Sequence, residues 1–174
     1  MILTGLEIEK QVQEKRITIS PFDPQHLNPN SYNFHLGDSL VRYLDPVLDP
    51  KIEPRTEQIP IPEEGYLLTP DRLVLGSISE TIGSDHYVPL IKGRSSIARL
   101  GLFINITADL IDQGAIGKWT LQFSTVQPLR IYAGMSIGQM TFWRTQGQPM
   151  LYHGKYQGSQ EPVASRAWRD FKQD

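Results

Sequence analysis

Apolar and polar residues alternate in short runs along most of this chain, and turn residues separate the runs. "RITISPFD" (16–23) alternates until Pro21, and "SYNFHLGDSL" (31–40) resumes the pattern after a turn-rich stretch. Further runs follow at short intervals: "YLLTP", "RLVLGSISETI", "YVPLIKG", "LFINITADLID", "KWTLQFSTV", "LRIYAG" and "SIGQMTFWR". Val, Ile, Thr and aromatic residues dominate them, which predicts an all-β sandwich or barrel. Two segments carry a helical pattern instead. In "TGLEIEKQVQEK" (4–15), Thr4 precedes Glu7 by three residues, a capping-box spacing, and Ile8 and Val12 share one face. In "SSIARL" (95–100) a serine is expected to cap the start and Gly101 to end the turn.

Between Asp45 and Glu64 the chain carries five prolines among charged residues. Proline donates no ladder hydrogen bond, so this segment reads as an extended surface excursion. The tail from Tyr152 to Asp174 is polar and glycine-containing, and in isolation it reads as mobile.

Composition narrows the function. The chain has 174 residues, enough for one domain with a real core, and 39% of them are hydrophobic. Formal net charge is −2, which argues against a phosphate-backbone binder, so no nucleic-acid partner is expected. There are no cysteines, which removes disulfides, thiolate nucleophiles and cysteine-ligated zinc. No signal peptide is visible, and no run approaches the roughly 20 apolar residues of a membrane span. A cytoplasmic protein without a membrane partner is therefore expected.

The densest chemistry lies in "GRSSIARLGL" (93–102). One reading is an anion site. Outward N–H groups and the Ser95 and Ser96 hydroxyls would be donors, Arg94 would supply a planar fork, and Gly93 would allow close approach. The other reading is a capped helix with two ion-paired surface arginines. The residues alone leave both standing. The P-loop spacing is absent. His26, His35, His86 and His153 show no metal-ligand spacing and read as ordinary packed or surface residues. Trp119, Trp143 and Trp168 read as core or interface aromatics, with base stacking as the alternative.

"GRSSIARLGL" resembles the central motif of the dCTP deaminase and dUTPase superfamily, and its dCTP deaminase branch in particular. "RITISPFDPQHLNPNSYNFHLGDSL" (16–40) is similar to that branch's "PFD…SYD.RLG" region, with Asn33 in place of the usual Asp. "TADLIDQGAIG" (107–117) resembles its next motif, and "GKYQGSQEPVASR" (154–166) its C-terminal clamp. The resemblance implies a distorted, dUTPase-like β-barrel over residues 1–174, with 152–174 as a mobile clamp. It also implies a homotrimer with active sites between subunits. The implied partners are dCTP or dUTP, with Mg²⁺ bound to the triphosphate and no cofactor in the chemistry.

The resemblance also implies roles. Arg94, Ser95 and Ser96 hold phosphate oxygens, with Lys155, Tyr156 and Gln160 reaching over from the tail. Arg99 sits near the base and positions water. The main chain around Thr107 and Ala108 reads the pyrimidine edge, and Asp112 lies against the deoxyribose. Gln122, Arg99, Ser95 and Ala108 form the implied catalytic set. Plainer readings exist for several of these. Lys155 would suit a solvated tail, Asp112 a turn before Gly114, and Tyr156 ordinary packing.

The sequence departs from the family where the chemistry is done. The family's proton-shuttling glutamate falls on the strand after the "ID" motif, and Gln122 stands there. An amide donates and accepts hydrogen bonds but does not serve as the acid or base. Leu110 replaces an arginine, Ala115 replaces an aromatic, Ser159 with Gln160 stands for a shifted glutamine, and Lys92 replaces an acidic residue. Three readings stand beside these departures, with deamination first because the whole-chain resemblance belongs to that branch. One is dCTP deamination to dUTP. The second is dUTP pyrophosphatase activity using Asp112, whose "LIDQG" setting suits that motif. The third is a nucleotide-binding or regulatory trimer without turnover.

Overall fold

The computed structural model describes residues 1–172. Gln173 and Asp174, the end of the expected clamp, lie outside the described residues. Thr4 caps helix α1 (Gly5–Gln13), its hydroxyl accepting from the Glu7 N–H at 3.4 Å. Ile8 is fully buried and Val12 packs on the core, so the face read from i, i+4 spacing turns inward. Strand β1 (Thr18–Ser20) stops before Pro21, and a 3₁₀ turn (Pro24–His26) leads to β2 (Leu27–Asn28) and the long β3 (Ser31–Tyr43). Then come β4 (Thr56–Pro60), β5 (Tyr66–Leu68), β6 (Val74–Ile78), β7 (Thr81–Gly83) and β8 (Tyr87–Gly93). One helical turn, α2 (Ser95–Ala98), precedes β9 (Leu102–Phe103), β10 (Ile116–Gly117), β11 (Thr120–Thr125), β12 (Leu129–Ile131) and β13 (Ser136–Arg144). A second 3₁₀ turn, Ala167–Phe171, closes the tail.

Every strand pairing is antiparallel, and the strands form a nearly closed, distorted β-barrel. The largest sheet runs β8-β13-β3-β6-β11-β9, with β2 and β4 also on β3. Smaller sheets β1-β7-β10 and β12-β5 complete it. β3 links the halves: Tyr32 lies opposite Met140 of β13, while Val41 lies opposite Leu75 of β6. Tyr32, Phe34, Leu36 and Leu40 from β3 meet Leu121 and Phe123 from β11 and Ile137, Met140 and Phe142 from β13 in one core. At full burial each large side chain contributes on the order of 1.5–3 kcal/mol. Gly138 sits where β13 shifts register, and a Cβ there would meet the Phe34 ring at 2.1 Å. The glycine is required by that close approach.

Three expectations change. The proline-rich excursion contains β4, whose Pro60 pairs opposite Ser39 on an outer edge, a place where a missing N–H costs no ladder bond. The excursion's neck is closed by Asp45, whose carboxylate accepts from the Arg55 N–H at 2.8 Å and from Arg55 Nε at 2.7 Å. "LFINITADLID" forms a strand only at Leu102–Phe103, and the remainder is a loop bridged to β8 at Leu90 and Leu110. No serine caps α2. The cap residue is Arg94, which makes no side-chain capping bond. Gly101 does end that turn in a left-handed conformation, φ +85°, and its N–H donates to Ala98 O at 2.9 Å.

Candidate functional site

Alternation along β11 sets the site. Leu121, Phe123 and Thr125 point into the core, so Thr120, Gln122 and Ser124 occupy the opposite, half-buried face. That face looks into a cavity of about 570 Å³. Leu75, Ile91, Ile111 and Ala115 give it an apolar floor. Asp112, Lys118, Thr120, Gln122, Lys155 and Tyr156 bring polar groups to it. An apolar floor with a few convergent polar groups suits a small amphiphilic ligand.

Gln122 is held at both ends. Its main-chain N–H donates to Ile104 O at 2.9 Å, and its side-chain oxygen accepts from the Ile106 N–H at 3.3 Å. The amide nitrogen has no protein acceptor among the described residues. Trp119 is fixed by an Nε1–H bond to Ile82 O at 2.8 Å and forms part of the wall, so it belongs to the site as well as to the core margin.

The tail forms the cavity's other wall and is docked, where isolation predicted mobility. Tyr152 N–H donates to Gln113 O at 2.8 Å, Gly158 N–H to Ile116 O at 3.1 Å, and Lys118 N–H to Ser159 O at 2.7 Å. The Gln157 amide bridges Gly114 O and the Ile116 N–H at 2.9 and 3.0 Å. Farther on, Val163 N–H reaches Thr120 Oγ1 and Ser165 N–H reaches the Tyr43 hydroxyl, each at 3.0 Å. Gly114 admits the tail: it has φ +92°, and a Cβ there would stand 2.8 Å from Leu151 Cβ. These main-chain and side-chain bonds join the tail to β3, β10, β11 and the loop at Gly114, all distant in sequence, so composition alone did not reveal them.

Of the residues singled out by sequence, Ala108, Asp112, Gln122, Lys155 and Tyr156 line this cavity, as do Leu110, Ala115 and Ser159. Arg94, Ser95, Ser96 and Arg99 do not. They lie on the turn after β8, where Ser95, Ser96 and Arg99 are exposed and Arg94 Nη1 donates to Ser136 O at 3.4 Å. Thr107 is exposed beside Ala108, outside the lining. Gln160 is also exposed and turns its amide to Gly158 O at 3.3 Å. Sequence reasoning missed Tyr43, Lys118 and Thr120. The β11 alternation that exposes Gln122 would have found Thr120, whereas nothing local marks Tyr43.

One ion pair lies near the site and one at it. Lys92, at the end of β8, bonds the Asp109 carboxylate, and that contact holds the Asp109 carboxyl below its ordinary range. Lys155 Nζ is bonded to both oxygens of Asp170, at 2.7 and 2.6 Å. Elsewhere, His35 Nδ1 meets the buried Glu80 at 2.6 Å, in keeping with a packed histidine. Among the described residues no cluster of three or more His, Cys, Asp or Glu could hold a metal, and no helix is long and apolar enough to cross a membrane.

Comparison with known proteins adds sequence and fold. A family model described as dCTP deaminase-like matches residues 2–145. A Clostridium botulinum protein named "dCTP deaminase, dUMP-forming" is 45% identical over 173 residues, covering 99% of both chains. A Rhodopirellula baltica protein named "dCTP deaminase" is 43% identical over 175 residues, covering 100% of this chain and 88% of its own. The crystal structure of 2'-deoxycytidine 5'-triphosphate deaminase from Agrobacterium tumefaciens superposes with a TM-score of 0.62 at 19% identity. That match covers 81% of this chain and 47% of the other, so the present chain spans about half of that structure's length and the likeness speaks to fold.

Proposed function

Because this chain belongs to the dCTP deaminase family, we propose that it binds a pyrimidine deoxynucleoside triphosphate in the β11 cavity and hydrolytically deaminates dCTP. The observation that carries the reading is full-length similarity to proteins named dCTP deaminases. The cavity supports it, because it lies where the family resemblance sets the base and sugar.

In this reaction water adds to C4 of cytosine, N3 takes up a proton, and ammonia leaves C4. The water oxygen stays as the new carbonyl, so dCTP and water give dUTP and ammonia. The main chain at Ala108, with Thr107 beside it at the cavity's edge, reads the base edge, and Arg99 of a neighbouring copy orients the water. Gln122 hydrogen-bonds at the reacting end but passes no proton. The expected rate is therefore roughly 10²–10⁴-fold below that of a site with a carboxylate there.

A second step is favoured by Asp112, which lines the same cavity, and by the dUMP-forming names of several relatives. A carboxylate there would orient water at the α-phosphate and release dUMP and pyrophosphate from dUTP. Mg²⁺ would arrive on the triphosphate, whose oxygens suit it.

The working unit we infer is a cytoplasmic homotrimer. Arg94, Ser95, Ser96 and Arg99 lie outside the cavity of their own chain, and Leu100, Phe103, Ile106 and Val126 leave apolar surface nearby. A phosphate grip presented to a neighbouring copy's cavity accounts for both features. The clamp over that shared site is the segment 152–174.

The deciding experiment incubates dCTP or dUTP with the purified protein, with and without Mg²⁺, and separates products by anion exchange. dUTP from dCTP supports deamination, and dUMP adds the second step. Unchanged nucleotide at high protein concentration, with dCTP still bound, makes the chain a binding protein and rejects the enzymatic reading.

A further inference from the structure

The Lys155–Asp170 contact has a shape that matters for ligand binding. Lys155 lies where the clamp reaches the cavity, and its ammonium is engaged by both oxygens of one carboxylate. Asp170 comes from the closing 3₁₀ turn, Ala167–Phe171, so the partner of Lys155 is supplied by the same tail. The turn has further anchors besides that side-chain pair. Arg166 N–H donates to the Tyr156 hydroxyl at 2.9 Å, and the Arg166 guanidinium lies 5.7 Å from the centre of the Tyr156 ring. Arg166 also donates to the Lys155 main-chain oxygen.

Two oxygens of a carboxylate on one ammonium reproduce the contact that a phosphate group makes with lysine. Lys155 cannot give the same donors to Asp170 and to a phosphate at once. We propose that Asp170 is a built-in competitor for the phosphate-binding ammonium of Lys155, so that a triphosphate must compete with it for N–H donors it now holds. The inference rests on the assignment of Lys155 to the phosphates made above. The Asp170 side chain is 65% exposed and Lys155 29%, so water screens the pair and its hold is modest. A modest hold suits a competitor, since a polyanion carrying several charges displaces it while an uncharged nucleoside has no means to. Asp170 thereby biases the site toward highly charged ligands.

Calorimetric titration of dCTP into wild type, Asp170→Asn, Lys155→Ala and the double variant tests this. Asp170→Asn is expected to tighten dCTP about two- to fivefold at low salt, the range set by an exposed ion pair. Deoxycytidine, titrated in parallel, should show no change. In the Lys155→Ala background the Asp170→Asn gain should vanish. Unchanged or weaker dCTP binding by Asp170→Asn, with Lys155→Ala still impaired, overturns the competitor and leaves the phosphate assignment intact. Full dCTP affinity in Lys155→Ala overturns the assignment of Lys155 itself. An equal gain for deoxycytidine would also sink the proposal, because it would reflect loosening of the tail and not charge competition. Asp170→Ala serves as a second variant that removes the carboxylate without leaving an amide to bond Lys155.

Discussion

Glutamine and glutamate have nearly the same shape, so Gln122→Glu changes the chemistry at β11 with little change in fit. A carboxylate oxygen can accept the Ile106 N–H as the amide oxygen now does, which keeps the side chain directed along the cavity wall. Gln122→Glu is expected to raise ammonia release from dCTP by roughly 10²–10⁴-fold, the usual worth of a positioned general acid–base. A coupled ammonia assay at matched protein concentration measures it. If dCTP still binds and no gain appears, the obstruction lies with Leu110 or Ala115, which share the cavity with Gln122. At this scale the sequence was informative. The identity of Gln122 and its position on an alternating strand could be read directly, because strand period fixes which side chains share a face. Its acceptor role toward Ile106 could not, because that bond links β11 to a loop whose path depends on the whole barrel.

At the scale of elements, the loop from Ile104 to Ala115 is attached to β8 by few bonds. Ile91 N–H donates to Asp109 O at 2.9 Å, Ile111 N–H to Pro89 O at 3.0 Å, and the Lys92–Asp109 ion pair adds a charged tie. Lys92 lowers the folded-state pKa of Asp109, so the tie is fully present above the unfolded carboxyl pKa of about 3.9 and is lost as pH falls through the lower folded value. Wild type should therefore lose stability more steeply below about pH 4 than Asp109→Asn, whose amide does not titrate. Urea midpoints measured from neutral pH down to that range check it, and parallel curves for the two proteins would mean the pair is too well solvated to matter. The loop also marks a limit of pattern reading. Its alternation predicted a strand, yet Ile106, Thr107, Ala108 and Leu110 are exposed, and among the described residues only Leu102–Phe103 of this segment joins a ladder. β4 was hidden for the opposite reason: prolines that exclude a central strand are tolerated on an edge. Tail docking depends on Gly114 and Gln157 meeting across the fold, a contact that no local window contains.

Over the whole molecule, the two halves of the proposed site do not meet within one chain. The cavity carries Gln122, Asp112 and Lys155, while the Arg94–Ser96 turn stands outside it beside exposed Leu100, Phe103 and Val126. Alternation and turn spacing made the all-β barrel readable, because each strand's inner face is set locally. They could not say whether any surface meets a second copy, since exposed apolar residues are ordinary on any one chain. If sites are shared as proposed, mixtures must behave in a specific way. In the proposed arrangement Arg94→Ala removes the phosphate grip from one donor surface, and Lys155→Ala removes the clamp lysine from one acceptor surface. Each homogeneous variant should bind dCTP several-fold more weakly, since each loses a charge-assisted hydrogen bond at every site. Co-expressed and co-purified, they should form mixed assemblies in which some sites pair an intact Arg94 from one copy with an intact Lys155 from another. Titration of the mixture should then show a class of sites at wild-type affinity, and sedimentation should give a mass near three chains. If the grip and the cavity instead belong to the same copy, every site in the mixture carries one lesion or the other. The strong class would then be missing even from well-formed trimers.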